Sequence, residues 1–386
     1  PATMNGQRIR DLRQTYRRGL LDDTLPFWIE HGVDDQQGGF FTCLDRDGTV
    51  IDTDKAVWQQ GRFTWLLAAL YNRLEPRAEW LRLARHGGEF LDQHGVDPAD
   101  GRMWFQLTRE GRPIRKRRYA FSECFAAIAY GELARATRSH TRESDEYARQ
   151  ARQRFDAFVQ HTTDPPPGDA KFSDVRPVRS IATPMMTIVT ASELRDSIDL
   201  PEAERWIDHG IEQICRFHLK PEIGCVMETV GLNGEQIDHF DGRTLNPGHA
   251  IEAAWFVLWE ARRRQSREWV EIGCKMLDWM WQRGWDSTHG GILYFVSVDQ
   301  HPISEYWHDM KFWWPQNEAI IATLLAYQMT GDEQYARRHQ MIHEWTYAHF
   351  PDPEYGEWFG YLHRDGRRSV SLKGNLWKGP FHMPRM

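Results

Sequence analysis

Two histidines on separate predicted elements give this chain the residue types of an acid/base catalyst. His249 lies in Asn246-Pro247-Gly248-His249, where asparagine is a good helix N-cap and proline suits the first helical position. Glu252 follows on the same helix face, and His382 lies near the C-terminus. One histidine can remove a proton while the other returns it on the opposite face of a substrate. The helix dipole disfavours an imidazolium at this position, so the sequence predicts a neutral, proton-accepting His249.

Two further stretches carry polar or aromatic groups on predicted inner helices. Trp58-Gln59-Gln60-Gly61-Arg62 places a glycine, which permits close approach of a second helix, beside an arginine on an apolar helix. Arg62 needs an anion or a carbonyl to face, and a salt bridge inside the fold is the alternative. The stretch from His308 to Glu318 places Trp314 and Glu318 at the start of another helix. There they would provide a stacking platform and a hydroxyl acceptor.

Several kinds of site are disfavoured. No G-x-x-x-x-G-K-[ST] run, G-x-G-x-x-G run or nucleophile elbow occurs. His339 and His343 are spaced like metal ligands, but no catalytic glutamate accompanies them, so we expect a solvated helix face and no metal. The basic run Arg112–Arg118 is short, and a net charge of -7 points to neither nucleic acid nor an anionic membrane surface.

Composition is that of an ordinary globular chain. The 386 residues are 41% hydrophobic and 27% charged, which suits one large core or two average domains. The 18 tryptophans are expected mainly as helix-packing anchors, with the remainder suited to a sugar-binding cleft. The five cysteines lack C-x-x-C spacing, which indicates reduced thiols. With neither a signal peptide nor a long apolar run evident, a cytoplasmic location is expected.

A degenerate repeat organises the chain. A glycine, a short apolar or aromatic alternation and a second glycine about ten residues later recur from positions 39, 101, 224, 290 and 356. The spacings are 62, 123, 66 and 66 residues, so a degenerate copy is expected near 165, where Pro165–Val175 has poor strand character. Each copy predicts a short β-hairpin, and six units of 60–66 residues fit the chain.

Between the hairpins, apolar helices alternate with amphipathic ones. Apolar segments are predicted at 56–71, 119–136, 251–262 and 318–329, and amphipathic ones at 143–161, 202–218, 267–283 and 333–349. Six such pairs describe two concentric rings, so we predict an all-α (α/α)6 barrel with hairpins at one end, forming a single domain over residues 1–386. A linear solenoid is the alternative, because a repeat alone does not prove closure.

Several of these motifs together resemble the N-acylglucosamine 2-epimerase family, also called renin-binding protein. The resembling segments span nearly the whole chain and are Gly38–Leu44, Trp58–Arg62, Asn246–Trp255, Trp313–Ala319 and Lys378–Arg385. The family fold is an (α/α)6 barrel. The family usually continues past the final Pro-Arg with more helix, so the resemblance implies a short closing helix here.

The resemblance implies specific roles. His249 and His382 become general acid and base at C2 of a sugar. The substrate-binding set is Arg62, Glu252, Glu318, Trp314, Trp58, His308, Lys378 and Met186. Relatives acting on cellobiose or mannose usually carry a further histidine on the third inner helix, where this chain has Ala182–Met186. Its absence favours an N-acetylhexosamine epimerase that requires no cofactor or metal. ATP as an effector that is not consumed, and a homodimer, are family expectations.

Three alternatives remain open at this point. An aldose–ketose isomerase, or a 2-epimerase acting on mannose, glucose or cellobiose, would use the same C2 deprotonation. A glycoside hydrolase would need two carboxylates across the cleft, for which Glu252 and Glu318 could serve, but it would leave the histidine pair without a role. A non-enzymatic protein-binding module would not need the polar residues on the inner helices.

Overall fold

Local sequence sets the ends of the helices that dominate this chain. The computed structural model describes residues 4–386. Asn246, Ser266 and Asp332 each accept a hydrogen bond from a backbone N–H in the turn that follows, and Gly331 ends a helix in the left-handed conformation. The helices are α1 (Gly6–Arg18), α2 (Leu25–Gly32), α3 (Val57–Arg73), α4 (Ala78–Phe90), α5 (Phe121–Ala136), α6 (Thr141–Thr163), α7 (Ala182–Ile198), α8 (Ala203–Gln213), α9 (Phe240–Arg243), α10 (Pro247–Arg264), α11 (Arg267–Gly284), α12 (Trp313–Thr330), α13 (Glu333–His349) and α14 (His382–Arg385).

The helices form two rings, as the alternation predicts. The inner ring is α3, α5, α7, α10, α12 and the single turn α14, and each long inner helix packs against the helix that follows it. Inner helices are buried on nearly all sides, as in α3, where even Gln59, Gln60 and Thr64 are buried. Outer helices such as α11 bury one face only. The chain therefore folds as an (α/α)6 barrel, which confirms the predicted fold class.

Close helix packing confirms the role expected of Gly61. A Cβ added to Gly61 would lie 2.8 Å from the backbone carbonyl carbon of Phe125, so only glycine lets α3 approach α5 this closely. At the sixth inner position lies α14, a single turn over His382–Arg385. An apolar cavity of about 490 Å³ lies beside it, lined in part by Leu66 and Leu70 of α3 and by Ile320 and Leu324 of α12.

The hairpin prediction is correct for the turns and for short strands, but most named strands pair with a strand of another repeat and not within one hairpin. Glycines with positive φ occur at the predicted turns, including Gly48, Gly111 and Gly366. Strands are only two or three residues long, and most pair between neighbouring repeats, as β1 does with β2. The strands are β1 (Lys55–Ala56), β2 (Gln106–Leu107), β3 (Pro113–Arg115), β4 (Val178–Ser180), β5 (Leu219–Lys220), β6 (Cys225–Val226), β7 (Thr229–Gly231), β8 (Thr244–Leu245), β9 (Val296–Ser297), β10 (Lys311–Phe312) and β11 (Tyr361–Leu362).

A recurring ion triad fastens the ends of the inner helices. In each copy an aspartate after an outer helix accepts hydrogen bonds from a buried lysine and from an arginine of another repeat. The triads are Asp34–Lys55–Arg109, Asp286–Lys311–Arg364 and Asp352–Lys373–Arg46. The last joins the final repeat to the first, so it closes the ring.

The expectation of a solvated face at His339 and His343 is wrong. Both residues are buried on α13, and the Tyr16 hydroxyl lies 2.8 Å from Nε2 of His339 and 2.9 Å from Nδ1 of His343. The cluster ties α1 to α13 and so adds a second junction between the two ends of the chain. Among residues 4–386, no helix combines the length and apolar character needed to cross a bilayer.

Candidate active site

A cavity of about 800 Å³ opens at the end of the inner ring where α10 and α12 begin. Most of the residues predicted from the sequence face it. The predicted residues that line it are Trp58, Arg62, Met186, His249, Glu252, Trp314 and His382. The barrel therefore brings together residues from α3, α7, α10, α12 and α14.

His249 is fixed by its helix cap and by a carboxylate from another repeat. The Asn246 side chain accepts a hydrogen bond from the His249 backbone N–H at 3.0 Å, as predicted. The ring Nδ1 lies 2.9 Å from Oε1 of Glu228, which precedes β7. Burial lowers the pKa of His249, but the Glu228 carboxylate outweighs burial and raises it above its ordinary value. The helix dipole therefore does not act alone on His249, because the Glu228 carboxylate, which the sequence prediction left out, shifts the pKa in the opposite direction.

His382 begins α14 and has the opposite electrostatic character. Its Nδ1 donates to Oε1 of Glu318 at 2.6 Å. Burial lowers the pKa of His382 to about 3 despite the Glu318 carboxylate, and the positive charges of Arg385 and Arg62 lower it further. His382 is therefore neutral at ordinary pH, whereas the pKa of His249 is shifted in the opposite direction, above its ordinary value.

Trp314 lies between the two histidines. The centroid of its indole is 5.1 Å from that of His249 and 5.5 Å from that of His382. Gly248 makes room for this ring, because an added Cβ would lie 2.7 Å from it. In both imidazoles the carboxylate contact is made at Nδ1. This leaves Nε2 as the nitrogen that can exchange a proton with a ligand on the indole.

Arg62 carries an unmatched positive charge in this cavity. Its guanidinium lies 4.3 Å from the centroid of the Phe125 ring and 4.6 Å from that of Phe381. No ion pair or hydrogen bond joins it to another side chain or carbonyl within residues 4–386, and its buried Nε lacks a partner there. Burial, followed by the charge of Arg385, lowers the pKa of Arg62 to about 9. The sequence left two alternatives for Arg62, a salt bridge inside the fold or an anion or carbonyl to face. The structure favours the second, because the guanidinium is available to such a group.

Two carboxylates share one arginine at the floor of the cavity. Arg385 donates to Oε1 of Glu318 at 2.6 Å and lies 3.4 Å from Oε1 of Glu252. Burial and the charge of Glu318 raise the pKa of Glu252, while Arg385 and His382 overcome burial and lower that of Glu318. Ligand atoms of Glu252, Glu318 and His382 lie within 4.8 Å of one another, as in a divalent-cation site. The Arg385 guanidinium already provides positive charge to this cluster, so the arrangement fits an ion-pair network better than a metal site.

Three predicted contacts lie elsewhere. Glu318 is fully buried behind His382 and acts through that ring. Lys378 is 1% exposed and donates to the backbone carbonyl of Lys373 at 2.7 Å, so it braces the C-terminal segment. His308 is exposed on the β9–β10 connection, and its neighbour Trp307 lines the cavity instead. The sequence identified the motifs that contain these residues, but it could not show which side chain of each motif faces the cavity.

Sequence reasoning missed Glu228, Arg385 and Lys171, all of which lie at the cavity. Arg385 follows His382 by one helical turn and could have been found from that spacing. Glu228 lies in the hairpin predicted from position 224, where nothing in the pattern marks its side chain as functional, and Lys171 lies in the Pro165–Val175 segment of poor strand character. Only the folded contacts identify them.

Comparison with known proteins decides the family. A family model described as N-acylglucosamine 2-epimerase (GlcNAc 2-epimerase) matches residues 39–382. An N-acylglucosamine 2-epimerase from Bos taurus is 38% identical over 376 residues, which cover 95% of this chain and 87% of that protein. The chain belongs to the N-acylglucosamine 2-epimerase family.

Further similarities agree with membership of the N-acylglucosamine 2-epimerase family. The Homo sapiens N-acylglucosamine 2-epimerase is 36% identical over 399 residues, covering 100% of this chain and 91% of that protein. The structure of cellobiose 2-epimerase from Bacillus thermoamylovorans B4167 superposes with a TM-score of 0.84, covers 97% of both chains and is 20% identical. At that identity the structural likeness supports the barrel fold alone.

Proposed function

We propose that this protein is an N-acylglucosamine 2-epimerase that interconverts N-acetylglucosamine and N-acetylmannosamine within a single catalytic domain. The observation that carries the proposal is the histidine pair. His249 and His382 flank one indole, and each has its Nδ1 engaged by a glutamate. Inversion of a carbon next to a carbonyl requires such a base and acid on opposite faces. Family membership and the names of the relatives from Bos taurus and Homo sapiens supply the substrate.

The proposed reaction uses the open-chain sugar, whose C1 carbonyl acidifies the proton on C2. One histidine removes that proton, the C–H electron pair forms the C1–C2 double bond, and the carbonyl π pair moves to O1, giving an enolate that keeps the acetamido group on C2. Arg62 is free to stabilise its oxyanion, an effect worth about 3 kcal/mol in comparable sites. The second histidine then protonates C2 from the opposite face. Because the pKa of His382 is lowered and that of His249 is raised, His382 is proposed as the base and His249 as the acid in the first direction of the reaction.

The other cavity residues are proposed to bind the sugar. Trp58 and Trp314 provide apolar ring faces, and Glu252, whose pKa is raised to about 7 by burial and by Glu318, can donate as well as accept a hydrogen bond. Met186 lines the wall where relatives acting on unsubstituted sugars usually carry a histidine. An apolar thioether there suits the methyl group of an N-acetyl substituent better than it suits a hydroxyl.

Product identification tests the proposal. Purified protein is incubated in D₂O with N-acetylmannosamine, mannose or cellobiose, and the products are followed by NMR. We expect N-acetylglucosamine carrying deuterium at C2, and loss of turnover in both His249→Ala and His382→Ala with the fold retained. Turnover without C2 exchange would refute the mechanism. A ketose product, or a preference for mannose or cellobiose, would support the isomerase or the alternative 2-epimerase instead.

Several finer properties complete the proposal. Each proposed step is a proton transfer by a side chain, so no cofactor is required. ATP is proposed as an effector that is not consumed, and a cavity of about 670 Å³ next to the active site offers Arg118, Lys171 and Arg179 to a polyphosphate. A matched pair of assays with ATP and a non-hydrolysable analogue tests this: both should raise the rate equally. A homodimer and a cytoplasmic location are proposed on the family resemblance and on the five free cysteines respectively.

A further inference from the structure

A glutamate from outside the predicted motifs holds the ring of His249. Glu228 lies between β6 and β7, in a different repeat element from α10. Its Oε1 is 2.9 Å from Nδ1 of His249 and is the nearest carboxylate contact of that ring. The side chain lines the same cavity as both histidines.

The backbone around Glu228 is anchored on both sides. The Glu228 carbonyl accepts from the backbone N–H of Ile181 at 2.9 Å, at the entry to α7. On the other side, the Met227 N–H donates to the His218 carbonyl at 2.8 Å, and Nδ1 of His218 lies 2.8 Å from the Met227 carbonyl. These hydrogen bonds fix the backbone that carries the Glu228 carboxylate, and a fixed carboxylate is needed to orient a catalytic ring.

The environment of Glu228 differs from that of Glu318. Glu318 shares its charge among His382, Arg385 and the indole N–H of Trp255. Within residues 4–386, Glu228 makes a side-chain hydrogen bond to His249 alone, and its Oε2 is buried without a partner. The charge of Glu228 is thus directed to one imidazole.

Two other charged side chains affect the pKa of His249, and both lie farther from its ring than Glu228 does. Glu252, one helical turn along α10, favours the protonated ring, and Lys171, from the loop before β4, opposes it. Lys171 lies over the rings of Tyr119, Phe121 and Phe172 and forms no ion pair within 4.0 Å with a described residue. Among the charged side chains of residues 4–386, Glu228 is the one that contacts the ring directly; the neutral Asn246 amide nitrogen also lies 3.1 Å from Nδ1.

We propose that Glu228 is a positioning residue that keeps the proton on Nδ1 of His249 and directs Nε2 to the sugar. The carboxylate selects this tautomer because Nδ1 must donate to it. It also stabilises the imidazolium that forms or is consumed at C2. The kinetic part of this inference rests on the proposed epimerase function, whereas the tautomer and charge of His249 do not.

The test compares Glu228→Gln, which removes the charge and keeps the shape, with Glu235→Gln as control. Glu235 is an exposed glutamate that follows β7 and lies outside the cavity. We expect kcat for N-acetylmannosamine to fall by about 10²-fold in Glu228→Gln, with KM changed by less than about threefold. Since the Glu228 charge raises the pKa of His249, the alkaline limb of the kcat profile should move to lower pH. Glu235→Gln should match the wild type.

Two further readouts separate positioning from general structural damage. The His249 ring is titrated by NMR, assigned with His249→Asn, and its midpoint should fall in Glu228→Gln. Sodium formate should partly restore the activity of Glu228→Ala, whereas sodium chloride at equal ionic strength should not. If Glu228→Gln does not fold, Glu228→Asp replaces it and should show the same shift at smaller size.

The outcomes are distinguishable. Wild-type kcat together with an unchanged His249 titration in the folded Glu228 variant overturns the inference. If the wild-type protein epimerises none of the sugars offered, the proposed function fails. The NMR titration then still decides whether Glu228 controls His249.

Discussion

His249 and His382 each contact a glutamate through Nδ1, yet their neighbours shift their pKa values in opposite directions. Two arginines, Arg385 and Arg62, lie near His382, and burial removes the water that would solvate an imidazolium there. His249 faces two carboxylates and one more distant lysine. The two pKa values are therefore pushed apart, as expected where one residue acts as acid and the other as base.

Arg62 provides a residue-scale prediction. We expect Arg62→Met to lower kcat/KM for N-acetylmannosamine by about 10²–10³-fold, because the enolate oxyanion loses its cationic partner. The same change should leave the melting temperature equal or higher, since it removes a buried guanidinium that lacks an ion pair in residues 4–386.

Arg385→Met is the matched comparison for Arg62. Its guanidinium pairs with Glu318 and lies near Glu252, so its loss should leave buried carboxylates uncompensated and lower the melting temperature. A large loss of stability in Arg62→Met, or unimpaired turnover, would contradict the assignment of Arg62 as a free oxyanion donor.

At the scale of the element, the sequence predicted those features that depend on neighbours in the chain. The Asn246–Pro247 cap, the burial of α3 and the positive-φ glycine turns follow from local chemistry. The Glu228–His249 contact does not, because it joins a hairpin to a helix 21 residues later and no periodicity marks it. The directions of the His308 and Lys378 side chains could not be predicted either, because both residues lie in loops whose path is set by tertiary contacts.

Gly248 provides an element-scale prediction, since it fixes how α10 meets α12. In Gly248→Ala the new methyl would overlap the Trp314 ring, so the indole should shift and kcat should fall by about tenfold. Overpacking of this kind costs about 1–3 kcal/mol of unfolding free energy. Chemical denaturation and steady-state kinetics measure both effects.

Gly6→Ala is the control for that substitution. Gly6 is also helical, but the nearest atom to its added Cβ is the flexible end of Arg10 at 3.6 Å. Alanine there should be neutral or stabilising by up to about 1 kcal/mol, with kcat unchanged. Equal behaviour of the two alanine variants would argue against a steric role for Gly248.

At the scale of the whole molecule, closure depends on contacts between the two ends of the chain. Arg46 donates from Nε to Asp352 at 2.9 Å across 306 positions, and buried Lys373 lies 3.0 Å from the same carboxylate. The equivalent triad at Asp286 joins only neighbouring repeats. A linear array of helix pairs would lack the Asp352 contact, so this triad, together with the Tyr16–His339–His343 cluster, stabilises a ring over a solenoid.

The closing triad gives a prediction that separates the two kinds of junction. Asp352→Asn should cost about 3–5 kcal/mol of unfolding free energy, because Lys373 stays buried without its counter-charge. Asp286→Asn should cost a similar amount, but only Asp352→Asn should speed hydrogen exchange in α1, α2 and the first hairpin.

Burial opposes ionisation of Asp352, but Arg46 and Lys373 hold its pKa well below the ordinary value. Its contribution is therefore complete above the unfolded pKa and is lost as the pH falls through the folded one. The wild type should accordingly lose stability in acid more steeply than Asp352→Asn, and equal slopes with unchanged exchange at the N-terminus would mean that the ring is not closed by this triad.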